Sequence, residues 1–246
     1  MPSARYTLNI KPEDLIPDKP RERTKKEKFL NWLHYHKWHL AAAAAALAVA
    51  ASLVWNAVSA PTYDYQVGLV SRVALPDAVL TGLAEGLAGL GQDLDGDGQV
   101  RVQINQYNLD FSDLDSQDPY AVMASQTRLA ADLQMATNFI FLLDDPESFL
   151  QAAPMVLCYL DGSLPEEGAG DVENMVVPWA GSPASQLPLG SIETLAGEVD
   201  IQQLLSGFSL GFVGNWDQKE YQKEATLAYR ASCGELWQAL TGRPAP

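Results

Sequence analysis

An uncharged, mostly apolar stretch near the N-terminus constrains this chain more than any other feature of its sequence. It reads LAAAAAALAVAASLVWNAVSA over residues 40–60, and no Asp, Glu, Lys or Arg occurs between Lys37 and Asp64. A helix needs about 20 mostly apolar residues to cross the hydrocarbon core of a bilayer. The stretch therefore predicts one transmembrane helix over residues 39–60, with the lipid bilayer as its partner.

Charge is distributed unevenly on the two sides of this stretch. Up to His39 the chain carries nine Lys and Arg against five Asp and Glu, whereas the remainder carries seven basic and 26 acidic residues. Because basic flanks stay in the cytoplasm, this asymmetry predicts a single-pass protein of the cell membrane. Residues 1–38 would form a cytoplasmic basic tail and juxtamembrane helix, and residues 61–246 an extracellular domain.

Two other interpretations of the apolar stretch compete with an anchor. One is a buried alanine-rich helix of a soluble protein, which the charge-sorted flanks disfavour. The other is a signal peptide, because the small residues Val58, Ser59 and Ala60 resemble a cleavage site. The long charged leader and Pro61, directly after that site, favour an uncleaved signal anchor, although the sequence leaves cleavage open.

The cytoplasmic region has two parts. Residues 1–24 are polar and interrupted by proline, which is typical of a disordered tail. Residues 25–39, KKEKFLNWLHYHKWH, combine basic and aromatic residues and predict a helix lying along the inner membrane surface. All three histidines are here (His34, His36 and His39). Their spacing permits a metal site, but an interfacial helix is the favoured explanation.

The large acidic region begins with a β-α-β-α-β pattern. Strands are predicted in YDYQVGLVSR, around Val102 and Ile104, and in NFIFLLDD, with amphipathic helices in residues 75–92 and 118–137 between them. Connections of this length allow crossover helices between parallel strands. The fold class is therefore predicted as α/β, with a parallel or mixed sheet and flanking helices.

The pattern after residue 146 is less regular. PESFLQAAP predicts a short helix, MVLCYL and GFSLGFVG predict strands, and residues 217–242 predict a closing helix that packs through Leu227, Leu236, Trp237 and Leu240. Residues 161–190 contain too much Pro, Gly and Ser for long regular elements.

Several kinds of chemistry are excluded or disfavoured by composition. No histidine follows residue 39, which excludes His-dependent nucleophiles and His metal ligands in the acidic region. No glycine-rich phosphate loop occurs, and the acidic charge argues against nucleic acid as a partner. Cys158 and Cys233 form either one disulfide or two buried thiols. We therefore expect a protein that is not an enzyme.

The sharpest local motif is DLDGDGQVRVQ at residues 93–103. Its three aspartates match positions 1, 3 and 5 of an EF-hand loop, Gly98 occupies the turn and Gln99 the position of the carbonyl ligand. Ile104 replaces the usual bidentate glutamate, so a further ligand must come from elsewhere, such as residues 110–118 or water. The competing interpretation is a polar turn without an ion. The predicted ligands of a structural calcium ion are Asp93, Asp95, Asp97 and Gln99.

Two stretches carry a resemblance to known families. NWLHYHKWHL resembles the lead-in of membrane-anchored envelope proteins of clostridia-like Gram-positive bacteria. The motifs GQDLDGDGQVRVQINQY and MASQTRLAADLQMATNFIFLLDD are similar to the first lobe of type II extracellular solute-binding proteins, over residues 64–146. The resemblance implies a binding-protein-like fold and ligand capture between two lobes, but the remaining residues do not form a recognisable second lobe.

Three functions follow from these observations, in decreasing order of support. The first is a membrane-anchored binding or interaction module of the cell envelope, whose partner is an extracellular ligand or another envelope protein. The second is a solute-binding receptor for a transporter, which requires a deep cleft; Tyr159, Trp179 and Trp216 are its candidate lining residues. The third is a carboxylate-based hydrolase, which requires two facing acids.

Overall fold

The computed structural model describes residues 22, 24–59, 61–166, 168–194 and 197–246. The chain divides into two compact units, residues 1–61 and residues 62–246. The predicted disordered tail lies almost entirely outside the described residues, as does Ala60 at the end of the predicted transmembrane segment.

The first unit contains one long helix, α1 (Lys25–Ser59). Thr24 begins it with a capping box, in which Thr24 Oγ1 accepts the N–H of Glu27 at 3.3 Å and Glu27 Oε2 accepts the N–H of Thr24 at 2.9 Å. No Pro or Gly interrupts the helix, so the predicted juxtamembrane and transmembrane helices are continuous. Its 35 residues extend for about 52 Å at 1.5 Å per residue.

This helix is long and apolar enough to cross a membrane. An 18-residue window within Lys25–Trp55 has a mean hydropathy of 1.7, and none of that window is buried. A helix of such composition in a soluble protein would bury its apolar side chains in a core. The alternative of a buried core helix therefore loses its support.

The second unit contains seven strands among the described residues: β1 (Tyr65–Ser71), β2 (Val102–Asn108), β3 (Ile140–Leu143), β4 (Val176–Pro178), β5 (Ser191–Thr194), β6 (Gly197–Asp200) and β7 (Ser209–Phe212). Five of them form a mixed sheet with the order β2-β1-β3-β7-β4, and β5 and β6 form a separate hairpin. β1 pairs in parallel with β2 and β3, whereas β7 is antiparallel to β3 and β4. The predicted mixed α/β fold is confirmed.

Five α-helices belong to this unit, in the part of the chain that the structure describes. They are α2 (Asp77–Ala88), α3 (Pro119–Gln134), α4 (Pro146–Ala152), α5 (Ile201–Leu205) and α6 (Glu224–Thr241). α2 connects β1 to β2, and α3 connects β2 to β3, so the predicted β-α-β-α-β order is confirmed. Parallel neighbours require such crossovers, because a tight turn joins only antiparallel strands.

The core is dense around β1 and β3. A side chain at Gly68 would place its Cβ only 2.3 Å from the ring of Phe141, so glycine lets that ring pack over β1. Phe141 also lies 6.0 Å from Phe149 of α4 and 6.3 Å from Tyr107 of β2, measured between ring centroids. These contacts place residues of β1, β2, β3 and α4 in one hydrophobic core.

Two details of the later region differ from prediction. The strand predicted in MVLCYL is reduced, among the described residues, to one bridge between Leu157 and Val213, and Met155 at its start lies in a turn with a left-handed backbone (φ 69°). Leu227, predicted to pack, is 40% exposed, whereas Leu236, Trp237 and Leu240 are buried as predicted.

Candidate metal site

Asp64 connects the acidic loop to the first strand of the sheet. It directly precedes β1, and the residue is only 4% exposed. Its carboxylate accepts the backbone N–H groups of Leu94 at 2.7 Å, Asp95 at 3.3 Å and Arg101 at 2.7 Å. A buried carboxylate needs such donors to replace its lost hydration. Asp64 therefore holds the start and the end of the loop by hydrogen bonds.

The loop itself is closed by Asp93. Gly96 and Gly98 adopt positive φ angles of 79° and 86°, which glycine tolerates without strain. Their N–H groups donate to the two carboxylate oxygens of Asp93, at 2.6 Å and 2.7 Å. The bond from Gly98, and then that from Gly96, lowers the pKa of the Asp93 carboxyl. The stability these bonds add is thus present above the ordinary aspartate pKa and is lost as pH falls through the lowered value.

Three carboxylates converge at the junction between this loop and β1. Asp64, Asp93 and Asp95 each offer one oxygen, and these oxygens all lie within 4.8 Å of one another. Three negative charges at such separations repel one another unless a cation neutralises them. An ionised carboxylate has about four acceptor positions, so each keeps capacity for a ligand beside its N–H partners. The cluster could hold a metal ion.

The side chains of the sequence-predicted ligands divide into two groups. Asp93 and Asp95 lie in the cluster. The side chains of Asp97 and Gln99 contact the guanidinium of Arg101, which lies 2.5 Å from Asp97 Oδ2 and 3.0 Å from Gln99 Oε1. The ligand atom predicted for Gln99 is its backbone carbonyl oxygen, which takes no part in this contact. Asp97 therefore reaches a cation only if it leaves Arg101.

Asp64 is the cluster member that the loop motif does not contain. The signal that could have identified it is its position directly before β1 in YDYQVGLVSR. β1 and β2 are parallel and in register from Tyr65 and Val102 onward. Since parallel strands begin at the same edge of a sheet, an acid before β1 lies beside the loop that leads into β2.

The cluster borders an open cavity of about 450 Å³. Asp64 and Asp95 line it together with Tyr63, Gln66 and Tyr229. Asp95 Oδ2 also accepts a hydrogen bond from the hydroxyl of Thr62. A cation therefore has a route to the carboxylates from solvent.

The three aromatic residues proposed for a receptor cleft do not converge. Trp179 is fully buried, and its indole N–H donates to Gln202 Oε1 at 2.7 Å. Trp216 lines an apolar cavity of about 280 Å³ with Met155, while Tyr159 lines a different, polar one. The described residues thus give the receptor hypothesis no common aromatic cleft.

Both cysteines are free thiols in the interior of the domain. Burial raises the pKa of Cys158 to about 11 and that of Cys233 to about 12. Of the two alternatives left open by the sequence, the structure has the pair of buried thiols. Neither thiol forms appreciable thiolate at neutral pH, so neither is a reactive nucleophile.

Comparisons of the chain with protein-family models, with curated proteins and with solved structures gave no match. The two family resemblances therefore stay predictions.

Replacing Arg101 with glutamine is expected to strengthen binding of a divalent cation to the cluster about two- to fivefold. The change removes a positive charge beside the cluster and releases Asp97 from its ion pair, and an exposed pair of this kind is worth about 0–1 kcal/mol. Isothermal titration of the full chain in detergent measures the affinity. Arg128→Gln, which removes a positive charge from α3, is the control; weaker binding by Arg101→Gln would contradict the proposed competition.

Proposed function

We propose that this chain is a membrane-anchored, extracytoplasmic binding or interaction module of a cell envelope. The observation that carries the proposal is α1, whose apolar window contains no buried residue. Exposed apolar surface of this extent is stable in a bilayer and costly in water. The helix is therefore assigned to the membrane, and the long charged leader before it and Pro61 after it favour an uncleaved anchor.

The charges on the two sides of α1 support the orientation. The basic residues before the apolar stretch favour the cytoplasm for the N-terminus, and the 26 acidic residues after it belong to the domain outside. An acidic outer domain with seven basic residues suits small ligands or proteins better than nucleic acid. Its partner is an extracellular ligand or an envelope protein.

Calcium is the cation that we assign to the cluster of Asp64, Asp93 and Asp95. Hard carboxylate oxygens favour calcium over the softer transition metals. Extracellular modules bind calcium with dissociation constants of about 10⁻⁴–10⁻³ M, so an exposed site with few protein ligands suits that side of the membrane. The ion would join β1 to the loop before β2 and stabilise the domain.

The anchoring role is tested with epitope tags on both ends of the full chain in bacterial cells. We expect both tags on one protein in the membrane pellet after extraction with alkaline carbonate, because a spanning helix resists that treatment. Release of a C-terminally tagged fragment without the N-terminal tag would identify a cleaved signal peptide and contradict the proposal.

A further inference from the structure

A second cavity, of about 440 Å³, lies away from the carboxylate cluster. It is formed by the segment after α4, the residues before β4 and the chain just after α6. Its polar lining consists of Tyr159, Asp161, Ser163, Asp171, Asn174 and Arg243. Cavities that hold small ligands have volumes of about 300–1,000 Å³, so its size suits a small molecule.

Backbone hydrogen bonds hold the walls of this cavity together. The N–H of Tyr159 donates to the carbonyl of Ser163 at 2.9 Å, and the N–H of Leu160 donates to the carbonyl of Asn174 at 2.9 Å. Gly162 makes the tight turn between the first pair, with a φ of 87°. The lining is therefore formed before any ligand arrives, which reduces the entropy lost on binding.

The negative side of the cavity consists of two ionised carboxylates. Asp171 accepts the hydroxyl of Tyr159 at 2.7 Å and the amide N–H of Asn174 at 3.3 Å. Asp161 accepts both the N–H and the hydroxyl of Ser163 on one oxygen, at 2.9 Å and 2.6 Å. The bonds from the Tyr159 and Ser163 hydroxyls are the largest cause of the lowered pKa of Asp171 and Asp161, respectively. The second oxygen of Asp161 receives no hydrogen bond from the described residues.

The positive side is the guanidinium of Arg243. Among the described residues this guanidinium forms no ion pair and no hydrogen bond. The backbone N–H of Arg243 donates to Thr241 Oγ1 at 3.2 Å. Neither Asp161 nor Asp171 lies within 4.0 Å of it, although all three line one cavity. The cavity thus leaves charges of both signs available to a ligand.

We propose that this cavity binds a small zwitterion, a free amino acid or a short peptide. Its ammonium group lies at Asp161 and Asp171, and its carboxylate pairs with the planar guanidinium of Arg243, which matches carboxylate geometry. The proposal rests on the binding role assigned to the domain and names the ligand class.

Other ligand classes fit the lining less well. A simple anion is attracted by Arg243 but repelled by two carboxylates, and a simple cation is attracted by the two carboxylates but repelled by Arg243. A neutral sugar satisfies hydrogen bonds but displaces water from three charges without neutralising them. A zwitterion provides an ammonium group for the two carboxylates and a carboxylate for Arg243.

The test is isothermal titration of the full chain in detergent with L-alanine, dialanine and trialanine. N-acetyl-L-alanine lacks the ammonium group and L-alaninamide lacks the carboxylate, and each is expected to bind at least about tenfold more weakly than L-alanine, as loss of one charge-assisted hydrogen bond implies. If the ligand is a peptide, dialanine and trialanine are expected to bind at least about tenfold more tightly than their N-acetylated or C-amidated forms.

Variants connect the binding to the named residues. Arg243→Gln is expected to weaken zwitterion binding about tenfold and to remove the preference for a free carboxylate, and Asp171→Asn to reduce the preference for a free ammonium. Arg72→Gln, on a salt bridge with Asp144 elsewhere, is the matched control and should leave binding unchanged. Unfolding temperatures confirm that each variant is folded.

Three outcomes would overturn the assignment: no binding of any zwitterion, equal binding of the capped compounds, or equally tight binding of N-acetylglucosamine. Membrane anchoring and calcium binding are measured independently with tags and with calcium titration. Failure of the zwitterion test is therefore distinguishable from failure of the proposed function.

Discussion

Replacing Asp64 with alanine is expected to lower the free energy of unfolding of the acidic domain by about 2–4 kcal/mol. The change leaves the N–H groups of Leu94, Asp95 and Arg101 without their acceptor at a position that is only 4% exposed. Hydrogen bonds to a charged acceptor are worth about 1.5–3 kcal/mol each, and buried donors left unpaired add a desolvation cost. Part of this cost is recovered where water reaches the exposed loop.

Calcium should also lose its stabilising effect in this variant. Wild-type protein is expected to unfold at higher urea concentration with calcium than with chelator, because a ligand bound only to the native state stabilises it. Urea unfolding of the full chain in detergent, followed by tryptophan fluorescence, measures both effects. Asp217→Ala, which changes an exposed acid outside both the cluster and residues 110–118, is the control. An Asp64→Ala variant with wild-type stability and an unchanged calcium response would remove Asp64 from the site.

Placing two aspartates in the apolar stretch, Leu47→Asp with Val49→Asp, should abolish membrane insertion. An acidic residue near the centre of a membrane helix costs about 2.5–3.5 kcal/mol, so the pair costs about 5–7 kcal/mol. Leu47 and Val49 are 71% and 60% exposed, so no protein core compensates for the change. We expect the variant in the carbonate-soluble fraction.

The matched control places the same charges outside the uncharged stretch. Leu30→Asp with Leu33→Asp changes two exposed apolar residues of α1 among the basic residues. This variant should remain in the pellet, because its charges lie where the chain is already charged. If both variants stay in the pellet, the apolar stretch is not what holds the chain in the membrane.

Much of the fold could be predicted because its signals are local. The uncharged stretch of α1 and the alternation in β1 and β2 depend only on neighbouring residues, and the structure has a helix and two strands at these positions. β4 and the β5–β6 hairpin were not predicted. β4 has three residues inside the Pro-rich region 161–190, and β5 and β6 are largely exposed, so none of them has an apolar pattern that marks a strand. The turn at Met155, at the start of the strand expected in MVLCYL, was not predicted because an apolar run does not reveal a left-handed residue.

The candidate metal site shows the same division between local and long-range signals. Asp93 and Asp95 could be predicted because the loop motif is contiguous, and Gly96 and Gly98 form the expected turns. Asp64 lies about 30 residues earlier and joins them only through the parallel pairing of β1 with β2. The contact of Asp97 with Arg101 depends on how the loop enters β2, which the motif does not encode.

The sidedness of the two ends of α1 is the central claim, and single cysteines measure it directly. Glu22 precedes the helix and Thr127 lies on α3, and both are exposed. Wild-type protein provides a clean background, because Cys158 and Cys233 are buried and burial raises the pKa of both thiols, to about 11 and about 12. The probe is a membrane-impermeant maleimide applied to intact bacterial cells.

We expect Thr127→Cys to be labelled in intact cells and Glu22→Cys to be labelled only after the membrane is permeabilised. Labelling of Glu22→Cys alone in intact cells, or of both variants there, would contradict an anchor with a cytoplasmic N-terminus and an extracytoplasmic acidic domain.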